Sequence, residues 1–319
     1  MDLTNLVALG TNVPASRLME VARTTIADTA HALARRGTSP HYLRASAGIR
    51  THATTVDRIA LREPLYDPYR LYPADSGPDS VLAGVGNPAA DRRLSRLLDR
   101  RLCMIFDVDG PICSVFAGLP DYVVAARMRA SLDLPYPSSI ATANDPFKVL
   151  RYAAGFGDEW GRKAERLLSE LEVEAMGSAR PTPGAADLLG ANRARGGINL
   201  MLSNNCVAAV DRYHQRKGTQ HLVHGNYSRG AVAAYAHRIS ALKPAEFAFE
   251  RAMADKGVSP NECIYIGDST TDIEGAHRAG MPVIAFADKP GKIEAFAPFE
   301  PDVIVTEMAA VQRAMSSRA

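Results

Sequence analysis

Leu102-Cys-Met-Ile-Phe-Asp107-Val-Asp109-Gly110 runs five apolar residues straight into two carboxylates and a glycine. A short apolar run bounded by a turn signal predicts a parallel strand buried on both faces, although periodicity alone also admits a buried helix segment. As a strand, it would leave the sheet at its carboxylates. That carboxyl edge is where open α/β sheets bind ligands, so an acid there suits a nucleophile or a metal ligand. An Asp-x-Asp-Gly tetrapeptide arises by chance often enough that its companions must decide its meaning.

Three companions follow downstream. Ile198-Asn-Leu-Met-Leu202 predicts a second strand, ending at Ser203-Asn204-Asn205. A hydroxyl and backbone amides at such an end suit phosphoryl oxygens, while a plain helix cap uses the same residue types. Lys243 directly precedes Pro244, where a helix through Phe247, Phe249 and Met253 is expected to start. An ammonium there opposes the helix dipole, so its place asks for a nearby anion. Cys263-Ile-Tyr-Ile266 then leads into Gly267-Asp268-Ser-Thr-Thr-Asp272, two more acids at a strand end, before a short helix closed by Gly280. Carboxylates gathered from separate strands supply the hard oxygen ligands that divalent cations prefer. Val283 to Phe286 reads as a further strand; Asp288-Lys289-Pro290-Gly291-Lys292 after it could place a lysine near the site, but a solvent-exposed turn is the favoured reading.

Between the first two strands the character changes. Residues 120–131, 145–154 and 159–175 each place apolar residues at three and four spacing, separated by Pro135, Pro137 and Gly155-Phe-Gly157. No sheet strand is expected over 114–180, which therefore reads as an insertion into an α/β domain. Arg180-Pro-Thr-Pro183-Gly184 marks the return as a rigid turn before a helix through Leu188 and Leu189.

Residues 1–101 differ from the rest in holding fourteen arginines, ten acids and no lysine. Pro14 and Gly37 bracket an expected amphipathic helix. Five prolines from Pro64 to Pro88, with Tyr66, Tyr69 and Tyr72 between them, predict an extended arm or linker. One rival lies here. Gly84-x-Gly86-x-x-Ala89, then a helical stretch and the strand ending in Asp107, spells a dinucleotide-binding fingerprint, with Asp107 on a ribose hydroxyl. A nucleotide-binding oxidoreductase is the function it would imply, and a catalytically silent interaction protein using the tyrosine-rich arm is a third class.

Composition bounds these choices. At 319 residues with 46% hydrophobic and 23% charged, the chain has the make-up of a soluble globular protein, of two domains or of one large domain with an insertion. A net charge of +2 lacks the basic excess of a nucleic-acid binder. Cys103, Cys113, Cys206 and Cys263 form no Cys-x-x-Cys pair and read as buried thiols in a reducing cytosol. With no leader pattern and no run of 18 apolar residues, a cytoplasmic protein is expected, with neither membrane nor nucleic-acid partner. Nothing indicates its oligomeric state.

Together and in this order, the four blocks resemble the haloacid dehalogenase-like hydrolase superfamily, over about residues 102–310. Asp107-Val-Asp109-Gly110 is similar to its first motif, Ser203 with Asn204 to the second, Lys243 before Pro244 to the third, and Gly267-Asp268 through Asp272 to the fourth. Pro111 departs from the threonine or valine commoner after the glycine. The resemblance implies an α/β class, a three-layer doubly wound parallel sheet with a helical cap between the first and second motifs. That cap position is similar to the phosphoglycolate phosphatase-like and β-phosphoglucomutase-like branch. The expected organisation is an N-terminal extension at 1–101, a core at 102–113 and 181–319, and a mobile cap at 114–180 that closes over the site.

The chemistry implied is hydrolysis of a small phosphorylated metabolite through an aspartyl-phosphate. Asp107 would be the nucleophile and Asp109 the acid that protonates the leaving oxygen and later activates water. Ser203, Lys243 and the backbone amides of Asn204 and Asp109 would hold the phosphoryl oxygens. Mg²⁺ would be bound by the Asp107 carboxylate, the Asp109 backbone carbonyl and Asp268, with Asp272 supporting. An acid at 109 favours phosphate esters over haloacids or phosphonates. A phosphomutase of the same superfamily uses the same acid and differs only in what accepts the phosphoryl group.

Overall fold

The apolar run at 103–106 forms an interior strand of a parallel sheet in a computed structural model that describes residues 81–99, 101–231 and 242–316. The expected helix between Pro14 and Gly37 and most of the Pro/Tyr-rich stretch lie outside the described residues. The sheet strands are β1 (Leu82–Ala83), β2 (Cys103–Phe106), β5 (Ile198–Met201), β6 (Gly225–Asn226), β7 (Cys263–Gly267), β8 (Val283–Phe286) and β9 (Val303–Val305). β3 (Cys113–Ser114) and β4 (Arg180–Pro181) form a separate antiparallel pair. Across the sheet the order is β1-β9-β8-β7-β2-β5-β6, and all neighbours run parallel.

Helices fill the connections. α1 (Pro88–Leu98) follows β1, opened by the Asn87 side chain, which accepts from the Ala89 and Ala90 amides. Between β3 and β4 come only helices: α2 (Asp121–Leu132), the single turn α3 (Ser138–Ala141), α4 (Pro146–Ala154) and α5 (Asp158–Ala175). Thereafter α6 (Ala185–Ala194), α7 (Val207–Lys217), α8 (Phe247–Lys256), α9 (Thr270–Arg278), α10 (Lys292–Phe296) and α11 (Met308–Ser316) alternate with the remaining strands.

Strand side chains point alternately to opposite faces, so a doubly buried strand feeds two cores. Met104, Phe106, Ile264 and Ile266 join one core, whereas Cys103, Ile105, Cys263 and Tyr265 join the other. α1, α6, α7 and α11 cover the first through Leu94, Leu188, Val210 and Val311. α8, α9 and α10 cover the second through Phe249, Ile273 and Phe296. The result is the three-layer, doubly wound α/β fold that the sequence implies.

Two expectations change at the N-terminal side. Residues 82–98, assigned from sequence to an extension, supply the edge strand β1 and a helix packed into the first core. The dinucleotide fingerprint is not assembled, because it needs the glycine turn and the acid on neighbouring strands. β9, β8 and β7 separate β1 from β2, and the Gly84 N–H donates to Asp91 Oδ1 at 2.7 Å, placing a carboxylate where a pyrophosphate would bind.

Candidate active site

Register brings the acids to one edge. Phe106 lies level with Met201 on one side and Ile266 on the other, so Asp107, Ser203 and Asp268 leave three adjacent strands one or two residues later. Parallel direction sends all three to the carboxyl edge. The Asp107 N–H still donates to the Ile266 carbonyl at 2.9 Å, and its Oδ1 accepts from the Val108 N–H at 2.7 Å. Gly110 turns the chain at φ +95°, and a Cβ there would lie 2.5 Å from Asp268 Cγ. Only glycine satisfies both the left-handed backbone and that approach. The turn uses the N–H groups of Gly110, Ile112 and Cys113, so Pro111 removes no donor that it needs.

Lys243 reaches this edge from a turn rather than from a helix N-terminus. The helix expected to start at Pro244 begins at Phe247, and the Lys243-Pro244 peptide is cis. The lysine N–H donates to Asn204 Oδ1 at 2.9 Å, which ties the second motif segment to the third. Its buried ammonium lies 3.0 Å from Asp107 Oδ1, 2.6 Å from Asp272 Oδ1 and 3.0 Å from the Tyr265 hydroxyl. Burial would lower the lysine's pKa, but Asp107 and Asp272 together raise it above its ordinary value.

The three acids are not equivalent. Asp272 is fully buried, and its Oδ1 accepts from Lys243 with the Tyr265 hydroxyl 2.9 Å away. Its Oδ2 accepts from the Asp268 N–H, the Ser269 N–H and the Ser269 hydroxyl at 3.1, 3.0 and 2.7 Å. Burial pushes its pKa up, yet Lys243 and these hydrogen bonds hold it below the usual carboxylate range. Asp107 is pushed up to about 6 by burial, against the pull of Lys243. Asp268 is pushed up to about 8, by burial first and the Asp107 charge second. Among the described residues, these three offer carboxylate oxygens within 4.8 Å of one another. The donor set is the hard oxygen that divalent cations prefer, and burial, the largest cause of the raised Asp107 and Asp268, disfavours carboxylate charge that such a cation would stabilise. Asp272, its acceptor positions filled, serves as the brace for Lys243 and the Asp268 turn.

The remaining sequence candidates also converge. Asp109 is half-buried, accepts the Val115 N–H at 2.8 Å, and has its pKa raised by burial. The buried Ser203 hydroxyl lies beside Asp107 and donates to Asn205 Oδ1 at 3.2 Å. Asn204 spends its side-chain oxygen on Lys243 and its carbonyl on Arg229 Nε at 2.8 Å, leaving its backbone amide for a ligand.

Two residues join that are not among the motif candidates. Tyr265 reads as one more apolar strand residue; its hydroxyl within an otherwise aliphatic run was the signal. Lys292, expected on a solvent-exposed turn, instead sets its ammonium 2.5 Å from Asp268 Oδ2 and 2.5 Å from Asp288 Oδ1. β8 lies beside β7, so the loop after it flanks Asp268.

A family model described as HAD-hydrolase-like matches residues 241–311. Phosphoglycolate phosphatase of Synechococcus elongatus is 29% identical over 198 residues, covering 57% of this chain and 82% of that protein. A predicted phosphatase from Clostridium acetobutylicum has a similar solved structure, with a TM-score of 0.53 at 15% identity over 68% of this chain and 98% of the other. CbbY from Rhodobacter sphaeroides, solved in complex with phosphate, gives a TM-score of 0.50 at 19% identity over 66% and 95%. The structural likenesses bear on fold alone. Among the described residues, no helix is long and apolar enough to cross a membrane.

Proposed function

We propose that the chain is a haloacid dehalogenase-like hydrolase of the phosphatase branch and that it hydrolyses a small phosphorylated metabolite through an aspartyl-phosphate on Asp107. The observation that carries this reading is the meeting of Asp107, Lys243 and Asp268, from three separate segments, at one sheet edge. Asp107 attacks phosphorus, forming the acyl phosphate as the bond to the leaving oxygen breaks. Asp109 gives that oxygen a proton, a task suited to a carboxyl whose burial favours its neutral form. The resulting carboxylate then takes a proton from the water that attacks the acyl phosphate, releasing phosphate and restoring Asp107. Lys243, the Ser203 hydroxyl and the Asn204 amide stabilise the phosphoryl oxygens as charge shifts. Mg²⁺, held by the Asp107 and Asp268 carboxylates and the Asp109 carbonyl with Asp272 behind them, would offset the charge between nucleophile and phosphate.

The four cysteines are buried and unpaired, which supports a reducing, cytoplasmic setting. The relative's name makes 2-phosphoglycolate the first metabolite to assay, beside a generic aryl phosphate. Phosphate release should need Mg²⁺, stop with a chelator and vanish in Asp107→Asn. Asp109→Asn should lower turnover by about 10²–10⁴-fold. Activity surviving Asp107→Asn in a pure preparation would sink the mechanism.

A further inference from the structure

Lys292 brings a cation to the acid cluster from outside the four motif segments. Its side chain is 19% exposed and its ammonium bridges Asp268 and Asp288, whereas Lys289 in the same loop is 70% exposed and only 3.9 Å from Asp288. An ammonium on the first residue of α10 gains nothing from the helix dipole, so the two carboxylates hold it there. The lysines divide the acids between them. Lys243 takes Asp107 and Asp272, and Asp268 is left to Lys292.

We propose that Lys292 is a tethered counter-ion of the metal site, neutralising Asp268 in the metal-free protein and retreating to Asp288 when a divalent cation takes the Asp268 oxygen. This rests on the metal assignment made above. A divalent cation and an ammonium a few ångströms apart on one carboxylate of a partly buried site repel strongly. Asp288, four residues before Lys292, gives the displaced ammonium an acceptor already in contact, so that displacement strands no charge. Lys292 therefore opposes metal binding while holding the metal-free acids together. Asp288 tips the exchange toward the metal.

The full chain, with Lys292→Met and Asp288→Asn variants, would be titrated with Mg²⁺ alone by calorimetry, and its melting followed in chelator. Lys292→Met keeps an apolar stem and should bind Mg²⁺ about tenfold more tightly. It should also melt lower than wild type in chelator, and Mg²⁺ should restore it. Asp288→Asn leaves the ammonium only Asp268 and should weaken Mg²⁺ binding. Wild type that binds Mg²⁺, with Lys292→Met binding no tighter, would overturn the counter-ion role alone. Wild type that shows no Mg²⁺ binding would overturn the metal assignment and this role with it.

Discussion

A single phenol hydroxyl stands among the charged groups of the site. Tyr265 is completely buried, yet its oxygen contacts Lys243, Asp272 and the Leu202 carbonyl within 3.0 Å. Tyr265→Phe keeps the ring and removes the oxygen, leaving a buried lysine and carboxylate each short of one partner. The expected loss is about 1–3 kcal/mol in urea unfolding, with slower phosphate release as Lys243 loosens. Unchanged stability and turnover would show that the hydroxyl only fills space. His214 carries a separate, pH-linked prediction away from the chemistry. Its imidazole is 3% exposed, contacts Thr219 Oγ1 at 2.9 Å, and burial lowers its pKa from 6.5 to about 4. The unfolded chain thus binds the proton first as pH falls. The stability from the neutral ring is complete above about pH 6.5 and is lost on the way down to pH 4, by roughly 3 kcal/mol at most. In His214→Gln, urea midpoints across that window should depend less on pH; an identical slope would assign the dependence to other groups.

At the scale of elements, α5 lies within the helical insertion and is fastened to the core by buried charge. Arg229, which follows β6, places Nη1 2.5 Å from Glu165 Oε1 and Nη2 2.5 Å from Glu172 Oε2, while Nε holds the Asn204 carbonyl. Glu172 also accepts the Cys206 N–H at 2.7 Å and the Asn205 amide at 3.3 Å. One arginine therefore links α5 to the loop that offers Ser203 and Asn204. A closing motion that swung the whole insertion as a rigid body would have to pull these charges apart. Motion of α2 to α4 over a fixed α5 avoids that. Arg229→Met strands two carboxylates, one of them fully buried, and should cost about 3–5 kcal/mol. Adding Glu172→Leu should recover part of the loss, because a paired charge replaced by apolar groups is far less costly than a lone one. Urea unfolding of the single and double variants closes the cycle. Additive losses would show that the pair is not coupled.

Across the whole molecule, what the sequence made legible follows burial and element length. Central strands such as Cys103–Phe106 are buried on both faces, and that burial writes itself as an apolar run ending in a turn. Edge strands of two residues, Leu82–Ala83 and Gly225–Asn226, have no room for any pattern, and the single turn Ser138–Ala141 is equally silent. The motif acids were readable because a strand end and a glycine mark each. Arg229 was not, since its partner Glu172 lies 57 residues away in the chain, and for Lys292, 24 residues from Asp268, a solvent-exposed turn was the favoured reading over a place near the site. Residues 82–98 are the largest piece whose place only the fold reveals, and their weight can be tested in the intact chain. Leu94 and Leu98 are each 1% exposed, on a helix that packs against α11. Truncating either to alanine should cost about 2–5 kcal/mol, because each leaves a cavity in the first core. β1 lies four strands from β2, about 19 Å across the sheet, so substitutions under α1 should spare the chemistry. Lower urea midpoints with turnover per folded molecule near wild type would confirm 82–98 as part of the sheet's covering layer. Unchanged midpoints in both variants would make it an arm that folds apart from the core.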